Sequence, residues 1–214
     1  MNNKHIYLIR HGQTDYNLNG IVQGSGVDTS LNATGRMQAQ AFYETYKDIP
    51  FDKIYASALK RTVETISPFL EKGIPMQQLE GLNEFSWGCK EGLSLTDENH
   101  HQEYLRVTTD WQNGIYQTCI EGGENPLQVQ ARQLKAFEII MANSNEETIL
   151  ICMHGRAMRL LLCTLLNYDI SCMDTFAHNN TGLYRLVYTG SMYQVLTFND
   201  LQHLNTDVKD FLNK

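Results

Sequence analysis

Residues 148–155 read Thr-Ile-Leu-Ile-Cys-Met-His-Gly, and this stretch decides the fold. Its unbroken apolar run, closed by a polar dipeptide, predicts a buried strand that ends at His154-Gly155. Directly behind it, Met158, Leu161, Leu162 and Leu165 recur at one-face spacing, which predicts a helix from Arg156 to Leu166. Upstream, Asn125-Pro126-Leu127-Gln128 has a cap residue, a proline for the first helical position and a glutamine to close a capping box. A helix to about Met141 follows from it. Downstream, Leu183 to Tyr188 and Tyr193 to Thr197 predict a hairpin turned at Gly190-Ser191.

The N-terminal half repeats the strand-then-helix pattern. Ile6 to Ile9 is a short apolar strand running into Arg10-His11-Gly12, followed by a Gly- and Asn-rich loop to about Ser30. Asn32 caps a predicted helix to about Lys47. Lys53 to Ala56 is a second strand, Leu59 to Leu70 a helix, and Met76 to Leu79 a third short strand. Strands alternating with helices predict a three-layer α/β/α sandwich: a mostly parallel central sheet with an antiparallel edge, in a single domain over 1–214. The polar, irregular segment from Glu80 to Glu124, with one helix around His101 to Trp111, is too long for a connection and reads as an active-site cover. Gln202 to Lys214 reads as a short helix or a disordered tail.

Composition narrows the function. The chain has 214 residues, 42% of them hydrophobic, and a net charge of −7. An acidic chain without clustered Lys and Arg is no general nucleic-acid binder, although a few convergent cations suffice for a small anion. The five cysteines are odd in number and contain no CxxC pair, so reduced thiols and a cytoplasmic location are expected. The apolar run at the N-terminus is too short for a signal peptide. The most apolar stretch, Ile149 to Leu166, carries His154, Arg156 and Arg159, so no membrane span is expected. Nothing in the sequence sets an oligomeric state.

Two strands thus end in His-Gly, and parallel α/β sheets bind ligands beyond the carboxyl ends of their strands. Lys60 and Arg61 begin the helix after the Lys53 to Ala56 strand, and Arg156 and Arg159 begin the one after His154. Cations in a first helical turn oppose the macrodipole, so a repeated violation on one rim points to a bound anion. Taken singly, each feature is ordinary: a His-Gly is a turn, a first-turn Arg a solvated side chain.

Leu8-Ile9-Arg10-His11-Gly12-Gln13-Thr14, with Asn17 three residues on, resembles the signature of the histidine phosphatase superfamily, the phosphoglycerate mutase-like family. The likeness continues through Gln23-Gly24, Ser57, Arg61, Leu82-Asn83-Glu84, Gly122-Gly123-Glu124, His154-Gly155 and Asn180-Thr181, in order along almost the whole chain. Asn125 replaces the Ser that usually follows Gly-Gly-Glu, and Ser30 stands where a Pro is usual; neither removes a functional side chain. The resemblance implies a phosphoglycerate mutase-like fold and a histidine acid-type phosphatase or mutase that needs neither metal nor cofactor. His11 is then the nucleophile that carries a phosphoryl group, since covalent catalysis splits one displacement into two easier ones. An unperturbed imidazole titrates near pH ~6.5, leaving much of it neutral at pH 7. Arg10, Arg61 and His154 are implied to surround the phosphoryl oxygens and Glu84 to protonate the leaving alkoxide. Asn17, Gln23, Gly24, Asn180 and Thr181 are implied as further substrate contacts.

Mutases of this family look to carry a longer insert after the proton donor, with Arg-His-Tyr-Gly beside it, and an Asn after His-Gly. Here Phe85 to Gly92 follows the donor and Arg156 follows His154-Gly155, so the phosphatase branch is the closer likeness and a phosphoglycerate mutase-type phosphotransferase the alternative. The expected partner is a small phosphorylated substrate. A metallohydrolase using His11, His154 and His100-His101 lacks a recognisable ligand spacing. A non-catalytic phosphate-binding module is the remaining alternative, but it has no need of both His11 and Glu84. Tyr104, Trp111 and Tyr116 read first as packing residues, and Arg106 as a solvated side chain.

Overall fold

The computed structural model describes residues 3–96 and 98–204. Six strands, β1 (Lys4–Arg10), β2 (Lys53–Ala56), β3 (Met76–Gln78), β4 (Thr148–Met153), β5 (Leu183–Tyr188) and β6 (Tyr193–Asp200), form one sheet in the order β3-β2-β4-β1-β5-β6. The first four are mutually parallel; β5 runs antiparallel to β1, and β6 antiparallel to β5. The helices are α1 (Asp15–Leu18), α2 (Ala33–Tyr46), α3 (Lys60–Leu70), α4 (Glu98–Gln112), α5 (Pro126–Ala142) and α6 (Gly155–Leu166).

Strand alternation sorts the core into two layers. Ile6, Leu8, Ile149, Ile151 and Met153 face α5 and α6, where Val129, Phe137, Ile140, Met158 and Leu161 complete one cluster. Tyr7, Ile9, Leu150 and Cys152 face the other way, against Phe42 of α2 and Ile66 and Phe69 of α3. The expected α/β/α sandwich is therefore the one observed. Asn125 and Gln128 form the anticipated capping box at the start of α5, each side chain accepting the other's backbone N–H.

Several elements differ from the sequence reading. α1 escaped notice because four residues give no periodicity; its start is fixed by Thr14, whose hydroxyl accepts from the Asn17 amide while Asn17 Oδ1 accepts from Thr14 N–H. Strand β6 extends to Asp200, beyond the expected Thr197, and the turn at Ile170–Thr175 was not foreseen. The segment from Glu80 to Glu124 is less open than its polarity suggests. Leu82, Phe85, Trp87, Val107, Trp111 and Ile120 are buried in the α5–α6 core, with Phe85, Trp87 and Trp111 mutually in ring contact. The expectation for the C-terminal tail falls largely on 205–214, outside the described residues.

Candidate active site

Register explains how the two His-Gly pairs meet. β1 and β4 are neighbours with Arg10 opposite Met153, so the next residue on each strand is a histidine, and His11 N–H still donates to the Met153 carbonyl at 3.0 Å. The two imidazole centroids lie 5.2 Å apart. On the far side of β4, Ala56 of β2 pairs with Cys152, which carries Ser57 and the start of α3 to the same rim. Three adjacent strand ends thus deliver His11, His154 and Arg61.

The glycines are required by close approach. A Cβ on Gly12 meets the Gly35 carbonyl oxygen at 2.6 Å, so only glycine lets the loop after β1 lie against the start of α2. A Cβ on Gly155 meets the His178 ring at 2.4 Å and Arg10 Nε at 3.3 Å.

His11 is 3% exposed, and its Nδ1 lies 2.7 Å from the Gly12 carbonyl. A carbonyl only accepts, so Nδ1 carries the hydrogen and Nε2 keeps its lone pair. Burial, reinforced by Arg61 and Arg10, holds the His11 pKa well below the ordinary value. The imidazole is therefore neutral well into the acid range, more completely than an unperturbed value implies. His154, fully buried, is depressed by the same causes. Its Nδ1 accepts from Arg61 Nε at 3.1 Å, so its one N–H, on Nε2, goes to Ser57 Oγ at 2.8 Å.

Arg61, fully buried, also donates to the carbonyls of Val27 and Gly24 at 2.8 and 3.1 Å. Arg10 donates to the His178 carbonyl at 2.7 Å, and its Nε is buried without a partner. An unmet buried donor of this kind is costly and marks where an anion fits. Burial lowers both guanidinium pKa values to about 10, which leaves them cationic at neutral pH.

Glu84 occupies a position that the sequence did not reveal. Its Oε1 accepts from the backbone N–H of Phe85 and Ala157 at 2.9 and 2.8 Å, and its Oε2 from that of Arg156 at 3.0 Å. The carboxylate therefore caps α6, whose N-cap, His154, has no side-chain cap of its own. The anion expected at that helix start is thus partly supplied by the protein. The Glu84 backbone is held in turn by Arg132, which donates to the carbonyls of Gly81, Asn83 and Glu84 and forms a forked pair with Glu124. Glu124 also accepts from Ser86 N–H, which gives the Gly-Gly-Glu motif a structural role.

A cavity of about 160 Å³ opens over this site, lined among others by Arg10, Asn17, Gln23, Glu84, Arg156 and His178. Asn17 and Gln23 belong to an amide chain in which Asn180 donates to the His11 carbonyl and to Asn17 Oδ1, and Asn17 to Gln23. Gly24 and Thr181 stand behind the site instead. Gly24 offers its carbonyl to Arg61, and Thr181, fully buried, donates its N–H to the Arg10 carbonyl and turns its hydroxyl to His203. Tyr104 lines the cavity, while Trp111 is core and Tyr116 bonds to Asp169. Arg106 is exposed beside Asp110. No three His, Cys, Asp or Glu side chains gather as a metal site among the described residues.

His178 was missed because it follows an irregular turn and no local pattern marks it. Burial beside Arg10, Arg159 and Arg156 pushes its pKa down to about 2. With His11 and His154 also depressed, the unfolded chain binds more protons than the native one once pH falls below the unperturbed value, and stability declines as pH drops. Each such histidine contributes a slope of about 1.4 kcal/mol per pH unit. The unfolded histidines are only half protonated at pH ~6.5, so urea unfolding at pH 6.5 and 5.5 should differ by about 3 kcal/mol for three. An equal midpoint at the two pH values contradicts neutral histidines here.

Comparison with known proteins agrees with this geometry. The family model of the histidine phosphatase superfamily (branch 1) matches residues 6–201. Adenosylcobalamin/alpha-ribazole phosphatase of Salmonella typhimurium is 31% identical, covering 80% of this chain and 84% of its own. Phosphoserine phosphatase 1 of Hydrogenobacter thermophilus is 26% identical over 83% of each chain. The crystal structure of the alpha-ribazole phosphatase from Shigella flexneri superposes with a TM-score of 0.80 at 25% identity, covering 92% of this chain and 96% of that one. A fold, a strand-end histidine pair and a family match over nearly its whole length agree: the chain belongs to the histidine phosphatase superfamily and is an enzyme of it.

Proposed function

We propose that the chain is a phosphomonoesterase that works through a phosphohistidine on Nε2 of His11 and needs no metal. The observation that carries this is the His11 tautomer: Nδ1–H is committed to the Gly12 carbonyl, which leaves Nε2 as a neutral nucleophile beside the other histidine and two guanidiniums. In the first step Nε2 attacks phosphorus and the P–O ester bond breaks. The leaving alkoxide takes a proton from Glu84, whose Oε2 accepts a single backbone N–H and lines the cavity. In the second step water attacks phosphorus, gives a proton to the Glu84 carboxylate, and the N–P bond breaks to release inorganic phosphate.

Arg10 offers its unpartnered Nε to the phosphoryl oxygens, where equatorial charge must be stabilised. Arg61 supplies a second fixed positive charge, and its planar fork to two carbonyls and an imidazole is not reproduced by Lys. His154 holds Arg61 in place and offers a phosphoryl oxygen the N–H that now rests on Ser57. Asn17, Gln23 and Asn180 support the loop and the cavity wall. Glu80 to Glu124 acts as the cover, contributing Trp87, Leu95 and Tyr104 to the wall.

The substrate is a small phosphorylated metabolite. The similar proteins named above differ in substrate, so the family alone does not identify this one. Free thiols at all five cysteines and the lack, among the described residues, of a helix long and apolar enough to cross a membrane support a cytoplasmic location. The test is release of inorganic phosphate from p-nitrophenyl phosphate in excess chelator. Undiminished turnover is expected; loss of turnover on chelation, or phosphoryl transfer without phosphate release, overturns the reading.

A further inference from the structure

One polar ring in the cavity wall has no part in the phosphoryl chemistry. His178 lines the cavity together with Arg10 and Gly155, and it is fixed there from two sides. Its backbone carbonyl accepts from Arg10 Nη1 at 2.7 Å, and its ring edge lies against the bare face of Gly155, where a Cβ would collide with Cδ2. That Cβ position is 3.3 Å from both His178 Nε2 and Arg10 Nε, so the ring edge borders the donor that faces a phosphoryl oxygen.

The ring itself is uncommitted. The carbonyl contact is the one hydrogen bond that His178 makes among the described residues, so neither ring nitrogen has a partner there. Burial beside Arg10, Arg159 and Arg156 keeps the imidazole neutral, which makes one nitrogen a donor and the other an acceptor. Polar atoms of this kind are normally satisfied by water or by a ligand. Across the same cavity the Tyr104 hydroxyl accepts from Arg156 at 2.9 Å and donates to no described residue, so its hydrogen is also available. Trp87, Leu95 and Val22 supply an apolar remainder that suits a short carbon stem.

Such a wall selects among leaving groups. A hydroxyl both donates and accepts, so it answers whichever imidazole nitrogen it meets. A carboxylate only accepts, and leaves the lone-pair nitrogen unmet. An ammonium is repelled by the three guanidiniums around the ring. Ligand pockets usually occupy about 300–1,000 Å³; at about 160 Å³ this one suits an alcohol of few carbons.

We infer that His178 is a specificity-determining residue whose ring hydrogen-bonds a neutral hydroxyl on the leaving alcohol, so that the substrate class is a short phosphorylated polyol. This rests on the proposed phosphatase chemistry and deepens it. The alternative is that the ring is only a spacer between Gly155 and the Arg10 side chain.

Matched substrates separate the two roles. 2-Hydroxyethyl phosphate and ethyl phosphate differ only by a hydroxyl in place of a hydrogen, and glycerol 3-phosphate and n-propyl phosphate differ in the same way. The wild type is expected to prefer the hydroxylated member of each pair about tenfold in kcat/KM, equivalent to about 1.4 kcal/mol, the size of one net hydrogen bond. His178→Phe keeps a ring but removes both nitrogens, and should reduce that preference to about twofold or less. His178→Asn, which still donates and accepts, should keep part of it. Equal rates within each pair in the wild type overturn the inference, as does a higher rate on phosphoglycolate than on 2-hydroxyethyl phosphate. A preference undiminished in His178→Phe overturns it too, since the hydroxyl then acts through the reactivity of the ester. Equal losses on both members of each pair in His178→Phe also overturn it and establish the spacer. Failure of the wild type to hydrolyse any of these esters or an aryl phosphate instead removes the phosphatase reading beneath it.

Discussion

Replacing His11 by alanine is expected to lower kcat by at least about 10⁴-fold, the largest effect of any single substitution in the chain. The reason is that the remaining residues bind and polarise a phosphoryl group but provide no second nucleophile. His154 commits Nδ1 to Arg61 and Nε2–H to Ser57, so it has no free lone pair with which to substitute. Cys152 is buried in the opposite core layer, and burial raises its thiol pKa far above neutrality. Steady-state assays with p-nitrophenyl phosphate check this, and a variant that retains a tenth of wild-type kcat contradicts it.

The second large effect is expected at Glu84. Glu84→Gln should reduce kcat about 10²- to 10⁴-fold while leaving KM within a few-fold. The carboxylate has two roles, which the choice of leaving group separates. As a cap it accepts three backbone N–H groups, and a glutamine amide set against the Arg156 N–H meets one of them with a donor. That structural loss applies to every substrate alike. As a proton donor, Glu84 matters most when the departing oxygen is a poor leaving group. Alkyl phosphates should therefore lose about tenfold or more beyond the loss seen with p-nitrophenyl phosphate, whose phenolate departs unaided. Equal losses on both classes remove Glu84 from proton transfer and leave it only the capping role.

The sequence was most legible where local pattern and topology coincide. A strand is short, and its last residue necessarily emerges on the sheet's carboxyl rim, so reading strands that end at Arg10-His11 and Met153-His154 was enough to place both imidazoles together once β1 and β4 proved adjacent. The cap at Asn125 and the start of α2 at Asn32 were equally local, since each side chain reaches an amide three residues away. What escaped depends on contacts across the chain. Glu84 caps a helix 71 residues further on, and no spacing rule encodes a side chain meeting a distant backbone N–H. Arg132 supports Glu84 by the same kind of contact, and His178 reaches the cavity from an irregular turn.

Gly24 and Thr181 flank the site in sequence, and their backbones hold two of its arginines: the Gly24 carbonyl accepts from Arg61, and Thr181 N–H donates to the Arg10 carbonyl. At the helix starts Arg61 is met by the Val27 and Gly24 carbonyls, whereas counter-charge from the protein itself stands beside Arg156 and Arg159. Their positive charge is partly met by Asp174, within the unforeseen turn at Ile170–Thr175, and the α6 dipole by Glu84.

The account stands on a covalent bond between phosphorus and Nε2 of His11. Rapid quenching with ³²P-labelled substrate in the steady state, followed by peptide mapping, tests it most directly. The label should be stable in alkali, lost in acid and located on the Nε2 nitrogen of His11. A label that alkali removes, one on another residue, or turnover with no labelled His11 at any time contradicts the account.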